Sequence, residues 1–455
     1  MKASALFVVT TLAAVPVFAA APATNAPQQT NPQISETLRD ISAKNIEATI
    51  RKLVSFGTRH TLSDAASDTR GIGAARKWIQ SEFERYSSES GGRLQVTMDE
   101  FTEPRGERNP QPAQLVNVVA TLPGSSLESR DRIYVVSGHY DSRVSEVMNA
   151  TADAPGADDD ASGVAAVMEM ARLMSKRNWE ATLVFMAVAG EEQGLFGSTH
   201  WAKTAKEKNW NIAGMITNDI IGSSRADDGH VDKDHVRLFA EGVPPLKENP
   251  DILRTLIRTG GENDTSSREL ARFIKNVAET YVRGMTVNVI YRRDRYLRGG
   301  DHSPFLDAGY PAVRMTEPNE DFRHQHQDLR KENGIQFGDL PEFCDFDYIA
   351  QVARVNASAL GALALAPACP RNVEVETKEL TNSTTLTWAA NTELDLAGYE
   401  IVWRDTTAPD WQHATSAGNV TRFTVPVSKD NVLFGVSAVD EAGNASPAVY
   451  PLPGK

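Results

Sequence analysis

The chain has 455 residues, which is enough for two or three domains with a sizeable core in the largest. Its 60 acidic residues outnumber 47 basic residues and give a formal net charge of -13. This acidic balance argues against a nucleic-acid-binding function, for which a basic footprint is expected.

The first 21 residues have the pattern of a secretory signal peptide. Lys2 precedes an apolar run, and the segment ends in the small residues Ala19, Ala20 and Ala21. Residues 22–32 are rich in Pro, Thr and Gln and are predicted to be a disordered leader. Since no other run reaches the roughly 18 apolar residues of a membrane span, the mature chain is expected to be soluble and secreted or periplasmic.

Four elements are predicted before the first polar motif. Helically spaced apolar residues occur at 35–56 and 71–86, and strand-like runs occur at 93–101 and 115–122. This order predicts helices and an antiparallel edge ahead of a parallel core.

Three polar turns adjoin apolar runs in the central part of the chain. In order, they contain His139 after residues 133–137, the aspartates at 158–160 before a helical pattern at 164–174, and Glu191 with Glu192 after residues 182–189. Ligands of open α/β sheets bind in the crevice outside the carboxyl ends of the strands. The turns are therefore expected to meet there.

These residue types suit a metal-dependent hydrolase. Zinc takes imidazole nitrogen and carboxylate oxygen, and a catalytic site keeps one position open. Two zinc ions about 3.5 to 4 Å apart need a bridging carboxylate, which one of the aspartates could supply while His139 completes one shell. Because Glu191 and Glu192 are adjacent on a turn, one can bind metal while the other acts as general base.

Each motif alone has a simpler interpretation. A histidine at a strand end is more often a hydrogen-bonded structural residue, a triple aspartate can cap a helix, and paired glutamates are usually solvated. The ordered occurrence of all three motifs in one segment favours the catalytic interpretation.

Together the motifs resemble the di-zinc aminopeptidase family that includes bacterial leucyl aminopeptidases, glutamate carboxypeptidase and the glutaminyl cyclases. The resemblance covers about residues 33–365, and its motifs lie at residues 138–142, 156–163, 191–198, 218–219 and 324–328. It implies a three-layer α/β/α domain with a mixed, mostly parallel sheet, two zinc ions and peptide substrates.

The resemblance also implies a role for each motif residue. His139 and Asp219 would bind one zinc, Asp159 would bridge both, Glu192 would bind the other, Glu191 would be the general base, and Asp141 would orient His139.

The last ligand of the second zinc is left open between two histidines. The family commonly has His-Thr-x-x-Asp, whereas this chain has both His324 and His326 there. Asp328 lies four residues after His324, as the family pattern asks, but the spacing from the turn at Asp301 and His302 slightly favours His326. His302 is assigned no metal.

A domain boundary is predicted at residues 366–370, where a helical pattern gives way to short alternating runs. Residues 371–455 resemble a fibronectin type III sandwich with Trp388 in its core, and an intramolecular or spacer role is predicted for it. Cys344 and Cys369 flank the last helix before the boundary, and after export they form either one disulfide or two unpaired thiols.

The basic cluster at residues 291–298 adjoins a site motif. A solvated loop is the simplest interpretation, but Arg295 or Arg298 could hold a substrate carboxylate, because a guanidinium pairs with it bidentately.

The sequence as a whole predicts a secreted di-zinc aminopeptidase. The alternatives are a glutaminyl cyclase with one zinc, a carboxypeptidase acting on small acidic peptides, and a non-catalytic binding protein on a peptidase scaffold.

Overall fold

The computed structural model describes residues 30–243 and 250–454. The predicted signal peptide, residues 1–21, and residues 22–29 of the predicted leader lie outside these ranges. Asn31 and Pro32, which were predicted to belong to the leader, instead cap and begin the first helix. The Asn31 side chain accepts a hydrogen bond of 2.9 Å from the Gln33 N–H group, which the helix itself leaves unpaired.

The helices of the described ranges mostly follow the apolar spacing of the sequence. They are α1 (Pro32–Arg39), α2 (Ala43–Val54), α3 (Gly71–Glu89), α4 (Ala161–Met174), α5 (Glu191–Gly194), α6 (Phe196–Glu207), α7 (Pro250–Thr259), α8 (Ser266–Tyr281), α9 (His302–Asp307) and α10 (Phe346–Leu365). The helical pattern at 35–56 is divided into α1 and α2, because the Ser42 hydroxyl caps a new helix by accepting from the Asn45 N–H group. None of these helices is long and apolar enough to cross a membrane.

One sheet of eight strands forms the centre of the molecule. Its strands, and a separate hairpin that follows them, are β1 (Gln95–Glu103), β2 (Ala113–Leu122), β3 (Arg132–His139), β4 (Thr182–Val188), β5 (Asn211–Asn218), β6 (His235–Ala240), β7 (Thr286–Ile290), β8 (Ala312–Thr316), and the hairpin β9 (Arg330–Glu332) with β10 (Ile335–Phe337). The order across the sheet is β1-β2-β4-β3-β5-β8-β6-β7. Pairs β4-β3, β3-β5, β5-β8 and β6-β7 are parallel, and the other three are antiparallel.

Helices cover both faces of this sheet. The larger core lies on the face that carries α4 and α10, and α4 is buried on almost every side. A smaller core on the opposite face contains Trp201 of α6 and Phe305 of α9, whose rings lie 5.6 Å apart. The predicted three-layer α/β/α architecture with a mixed, mostly parallel sheet is therefore confirmed.

The parallel strands place their last residues at one edge of the sheet. His139 at the end of β3 is directly opposite Val188 at the end of β4. On its other side β3 pairs in parallel with β5, which ends at Asn218. The polar residues that follow these strands in sequence therefore emerge close to one another.

Two smaller sheets follow α10, and we call residues 371–454 the C-terminal module. Its strands are β11 (Arg371–Val375), β12 (Thr384–Ala389), β13 (Leu396–Asp405), β14 (His413–Gly418), β15 (Arg422–Val425), β16 (Val432–Asp440) and β17 (Leu452–Pro453). They form a four-stranded and a three-stranded sheet that share one apolar core. Trp388 and Tyr399 meet in that core with ring centroids 5.2 Å apart. The relation to fibronectin type III domains stays a prediction.

Of the two states left open for the cysteines, the structure shows the unpaired one, since Cys344 and Cys369 are both free. Cys344 precedes α10 and Cys369 follows it. A helix of 20 residues is roughly 30 Å long, so it holds the two thiols at its opposite ends.

Candidate metal centre

Asp160 fixes the position of His139 against the start of α4. The Asp160 carboxylate accepts hydrogen bonds from the backbone N–H of Gly163 at 3.0 Å and from that of His139 at 2.9 Å. The helix-capping interpretation of the triple aspartate is therefore correct for Asp160. Its neighbour Asp159, to which it is joined by a cis peptide bond, faces the site instead.

Asp159 lies between two histidines. Its Oδ1 atom is 3.0 Å from Nε2 of His139, and its Oδ2 atom is 2.9 Å from Nε2 of His326. The side chain is only 6% exposed. Each oxygen thus faces a different imidazole, which is the arrangement required of a carboxylate that bridges two metal ions.

Two groups of potential metal ligands share this aspartate. The first consists of His139, Asp159 and Asp219, and the second of Asp159, Glu192 and His326; within each group the ligand atoms lie within 4.8 Å of one another. In the first group Oδ1 of Asp219 is 3.9 Å from Nε2 of His139. In the second, Oε1 of Glu192 is 3.1 Å from Nε2 of His326.

The residues of both groups suit zinc. Their donors are imidazole nitrogen and carboxylate oxygen, the ligand atoms that zinc accepts in catalytic sites. Oε1 of Glu192 is buried, and although Nε2 of His326 lies 3.1 Å away, the geometry gives this oxygen no hydrogen bond from the described residues. A buried oxygen without a partner carries a large desolvation penalty, which a cation beside it would remove.

Asp141 supports the site through two different groups. Nδ1 of His139 lies 3.1 Å from the Asp141 carbonyl oxygen and 3.5 Å from its carboxylate. The carboxylate accepts the backbone N–H groups of Glu191 and Glu192, each at 3.2 Å, and the Thr61 hydroxyl at 2.7 Å. Burial opposes ionisation of Asp141, but the hydrogen bond to His139 and the other donors outweigh it and lower its pKa. Asp141 thus orients His139 mainly through its carbonyl and the glutamate turn through its carboxylate.

Glu191 lies half-buried beside the ligand groups without belonging to either. Burial, reinforced by the charges of Asp219 and Glu192, raises the pKa of Glu191 well above its ordinary value against the opposing effect of His139. Metal ions bound at the two groups would act in the opposite direction and favour the carboxylate. Glu191 is therefore placed to take up and release a proton.

His326, and not His324, reaches the second ligand group. The His324 ring instead stacks on Phe343, with ring centroids 3.7 Å apart, and its Nδ1 atom lies 3.7 Å from Asp321. His302 is buried, and its Nε2 atom is 2.8 Å from the carbonyl oxygen of Arg293. His302 therefore has a structural position in the segment that follows β7.

Arg143 belongs to the site but was not identified from the sequence. Its Nε atom is 3.0 Å from Oε2 of Glu192, and one Nη atom is 2.6 Å from Nδ1 of His326. The signal available in the sequence was its place directly after Ser142, at the end of the first motif. An arginine at this position offsets part of the negative charge of the carboxylates.

A cleft of about 360 Å³ opens above the two ligand groups. Its lining includes Glu191, Leu195, Asp219, Leu297, His326 and four arginines, which are Arg108, Arg143, Arg295 and Arg298. Arg295 and Arg298 both pair with the buried Glu320, at 2.9 and 3.3 Å. Residues 295–298 thus form part of the wall of the cleft.

Comparisons with known proteins agree with this arrangement. The sequence model of Peptidase family M28 matches residues 117–334. A protein of Leptosphaeria maculans described as a probable zinc metalloprotease is 52% identical over 422 residues, which cover 93% of this chain and 97% of that protein. One of Pyricularia oryzae with the same description is 51% identical over 426 residues, covering 92% and 84%.

Solved structures of low sequence identity share the fold. The LapA aminopeptidase of Legionella pneumophila has a TM-score of 0.51 at 18% identity and covers 73% of this chain and 76% of its own. The aminopeptidase from Aneurinibacillus sp. strain AM-1 has a TM-score of 0.51 at 16% identity and covers 73% and 96%. Because the fungal relatives match over nearly its whole length and the family match spans the site from His139 to His326, the chain belongs to peptidase family M28 and is a zinc metalloprotease that hydrolyses peptide bonds.

Proposed function

We propose that this protein is a secreted aminopeptidase that binds two zinc ions and removes residues from the amino terminus of peptides. The observation that carries the proposal is the position of Asp159 between two complete ligand groups, with Glu191 beside them. The signal that would direct export lies in residues 1–21, outside the described ranges.

The size and charge of the cleft support action on the end of a peptide. At about 360 Å³ it lies near the lower end of the range for small-molecule sites, so it suits one chain terminus better than a long internal segment. Its floor carries the carboxylates of Glu191, Glu192 and Asp219. The four arginines of the lining offset this charge over the cleft as a whole, so the attraction for the protonated amine of a free amino terminus is local to these carboxylates.

In the proposed mechanism, each of the two ligand groups binds one metal ion. His139 and Asp219 would hold one zinc ion, Glu192 and His326 would hold the other, and Asp159, which faces both histidines, would serve both groups. Bound zinc supplies Lewis-acid polarisation of the peptide carbonyl and lowers the pKa of water toward neutrality.

Glu191 performs the proton transfers of the reaction. Its carboxylate accepts a proton from the attacking water and then donates it to the amine that leaves. The hydrogen bond from the Glu191 N–H group to Asp141 fixes the turn that carries it. Asp141 is therefore a positioning residue.

A panel of aminoacyl-p-nitroanilides and amino-blocked controls tests the proposal. We expect hydrolysis of the substrates with a free amine only, loss of activity with a chelator, and recovery when zinc is restored. Equal hydrolysis of blocked and free substrates would contradict aminopeptidase action. Ring closure of amino-terminal glutamine without hydrolysis would instead support the cyclase alternative, and binding without any turnover would support the non-catalytic one.

The arginines of the cleft support a second candidate, cleavage of peptides that carry a carboxylate near the scissile bond. Arg298 lines the cleft, and its side chain is 35% exposed. A guanidinium in this position pairs with a carboxylate bidentately. A carboxypeptidase that takes small acidic peptides would use such a contact.

Replacing Arg298 by alanine distinguishes the two candidates. If Arg298 binds a substrate carboxylate, kcat/KM for acidic peptides is expected to fall about tenfold or more relative to neutral ones, because a charged hydrogen bond is lost. Arg292→Ala is the matched control, since Arg292 is exposed in the same segment and stacks on Tyr296, 4.3 Å from its ring centroid. Unchanged selectivity between acidic and neutral peptides would exclude this role for Arg298.

A further inference from the structure

The C-terminal module is joined to α8 and the residues before it by buried charges. Arg404 of the module pairs with Asp264 at 2.7 and 2.9 Å, and Asp264 also pairs with Arg272 of α8 at 2.8 Å. All three side chains are at most 2% exposed. Trp411 of the module adds a 3.0 Å hydrogen bond from its indole to Glu269. These hydrogen-bonded charges are shielded from water at the interface, and they join the module to α8 in a defined geometry.

Tyr291 connects this interface to the segment that follows β7. Its hydroxyl donates to the carbonyl oxygen of Pro409 in the module at 3.2 Å and accepts from Arg272 at 3.2 Å. Arg268 donates to the Tyr291 carbonyl oxygen at 3.2 Å, and its guanidinium lies 4.4 Å from the centroid of the tyrosine ring. Tyr291 is thus held by α8 and by the module together.

The residues after Tyr291 lead directly into the cleft. Arg295, Leu297 and Arg298 line it beside Glu191. At the tip of this segment the side chain of Tyr296 is 82% exposed and that of Leu297 is fully exposed. The middle of the segment is anchored, because Arg293 pairs with Asp307 at 2.8 Å and the buried Asp294 pairs with Arg314 at 3.2 Å, so the contacts of Tyr291 add to this anchoring at the first end of the segment.

Different partners hold the two ends of the segment. Arg295 and Arg298 are held by Glu320, on the side of the cleft. Tyr291 is held by Arg272 and Pro409, on the side of the module. If the contact between Tyr291 and Pro409 were lost, Tyr291 would be held only by Arg268 and Arg272 of α8.

We propose that the C-terminal module positions the cleft segment, residues 291–298, through Tyr291, so that the module acts in substrate binding without contacting the zinc ligands. The inference rests on the proposed location of the active site in the cleft above Asp159. Tyr291 is a positioning residue in this scheme, and Pro409 is the point at which the module acts on it.

Two substitutions of Tyr291 in the full-length protein test the proposal. Tyr291→Phe removes only the hydroxyl contacts, and Tyr291→Ala also removes the ring beside Arg268. We expect KM for peptide substrates to rise about three- to tenfold with the first and further with the second, while kcat changes by less than about twofold. Hydrogen exchange of the amides at 292–298 is expected to become faster in the same order, and the bound zinc is expected to stay unchanged.

Tyr450→Phe provides the matched control within the same module. Its hydroxyl donates to the Thr259 carbonyl oxygen at 2.8 Å, so the substitution removes one interface hydrogen bond that does not involve Tyr291. KM and exchange at 292–298 are expected to stay at the wild-type values.

The outcomes separate this proposal from the proposed function. If the Tyr291 variants match Tyr450→Phe in both KM and exchange, the module does not position the cleft segment and the proposal is wrong. If exchange responds as expected but KM does not, the segment is positioned without a role in substrate binding, and the proposal is also overturned. If the wild-type protein hydrolyses no peptide, the proposed function fails, whereas the exchange comparison still measures the coupling.

Discussion

Glu191→Gln is expected to lower kcat about 10²- to 10⁴-fold, because a glutamine amide cannot accept the proton of the attacking water or deliver it to the leaving amine. Glu191 is not part of either ligand group, so zinc content is expected to stay at the wild-type value. The glutamine is nearly the same size as glutamate and keeps the backbone hydrogen bond to Asp141. Activity and metal content are measured on the same protein sample.

Glu207→Gln makes the same chemical change on the exposed surface of α6 and serves as the control. It is expected to leave kcat and zinc content unchanged. An active Glu191→Gln enzyme would exclude Glu191 as the general base. Loss of zinc together with activity would instead show that Glu191 supports the metal site.

His326→Ala is expected to reduce the bound zinc from two ions per chain toward one and to lower kcat/KM more than about 100-fold. Loss of a residue that only hydrogen-bonds to a metal ligand already changes metal affinity or activity about 10- to 100-fold, and loss of a direct ligand costs more. Only Asp159 and Glu192 would remain in the second group. Metal analysis after dialysis and steady-state kinetics on a free-amine substrate measure the two effects.

His324→Ala is the matched control, since it removes a histidine two residues away. It is expected to retain both zinc ions and nearly all activity. Its free energy of unfolding is expected to fall by about 0.5 to 1.5 kcal/mol, because the stacking of His324 on Phe343 is lost. Retention of two zinc ions by His326→Ala, with loss in His324→Ala, would reverse the assignment of the ligand.

Much of the site was predictable because its parts are local in sequence. Apolar runs of about seven residues form β3, β4 and β5, and polar residues follow each run directly. Parallel pairing then brings their ends together without further information. The positions of His139, Glu192 and Asp219 near one another therefore follow from strand ends that can be recognised in the chain.

Other features depend on contacts between distant segments. The choice between His324 and His326 is made by Phe343, which stacks on the first, and by Asp159 and Glu192, which face the second. Arg143 joins the site by contacting Glu192 and His326. The sequence around a single arginine does not indicate which residues it will contact.

The sequence by itself determined the strands that end at the site, the family and the order of the polar turns, because these depend on local apolar patterns and on short motifs. The tertiary structure decided that Cys344 and Cys369 stay apart, since α10 separates them, and that the Asp141 carbonyl is closer to His139 than its carboxylate is. It also decided where the C-terminal module lies. Such features are set by the packing of whole elements, and the physical reason is that a side chain's partner in space can be 100 or more residues away, as Pro409 is from Tyr291.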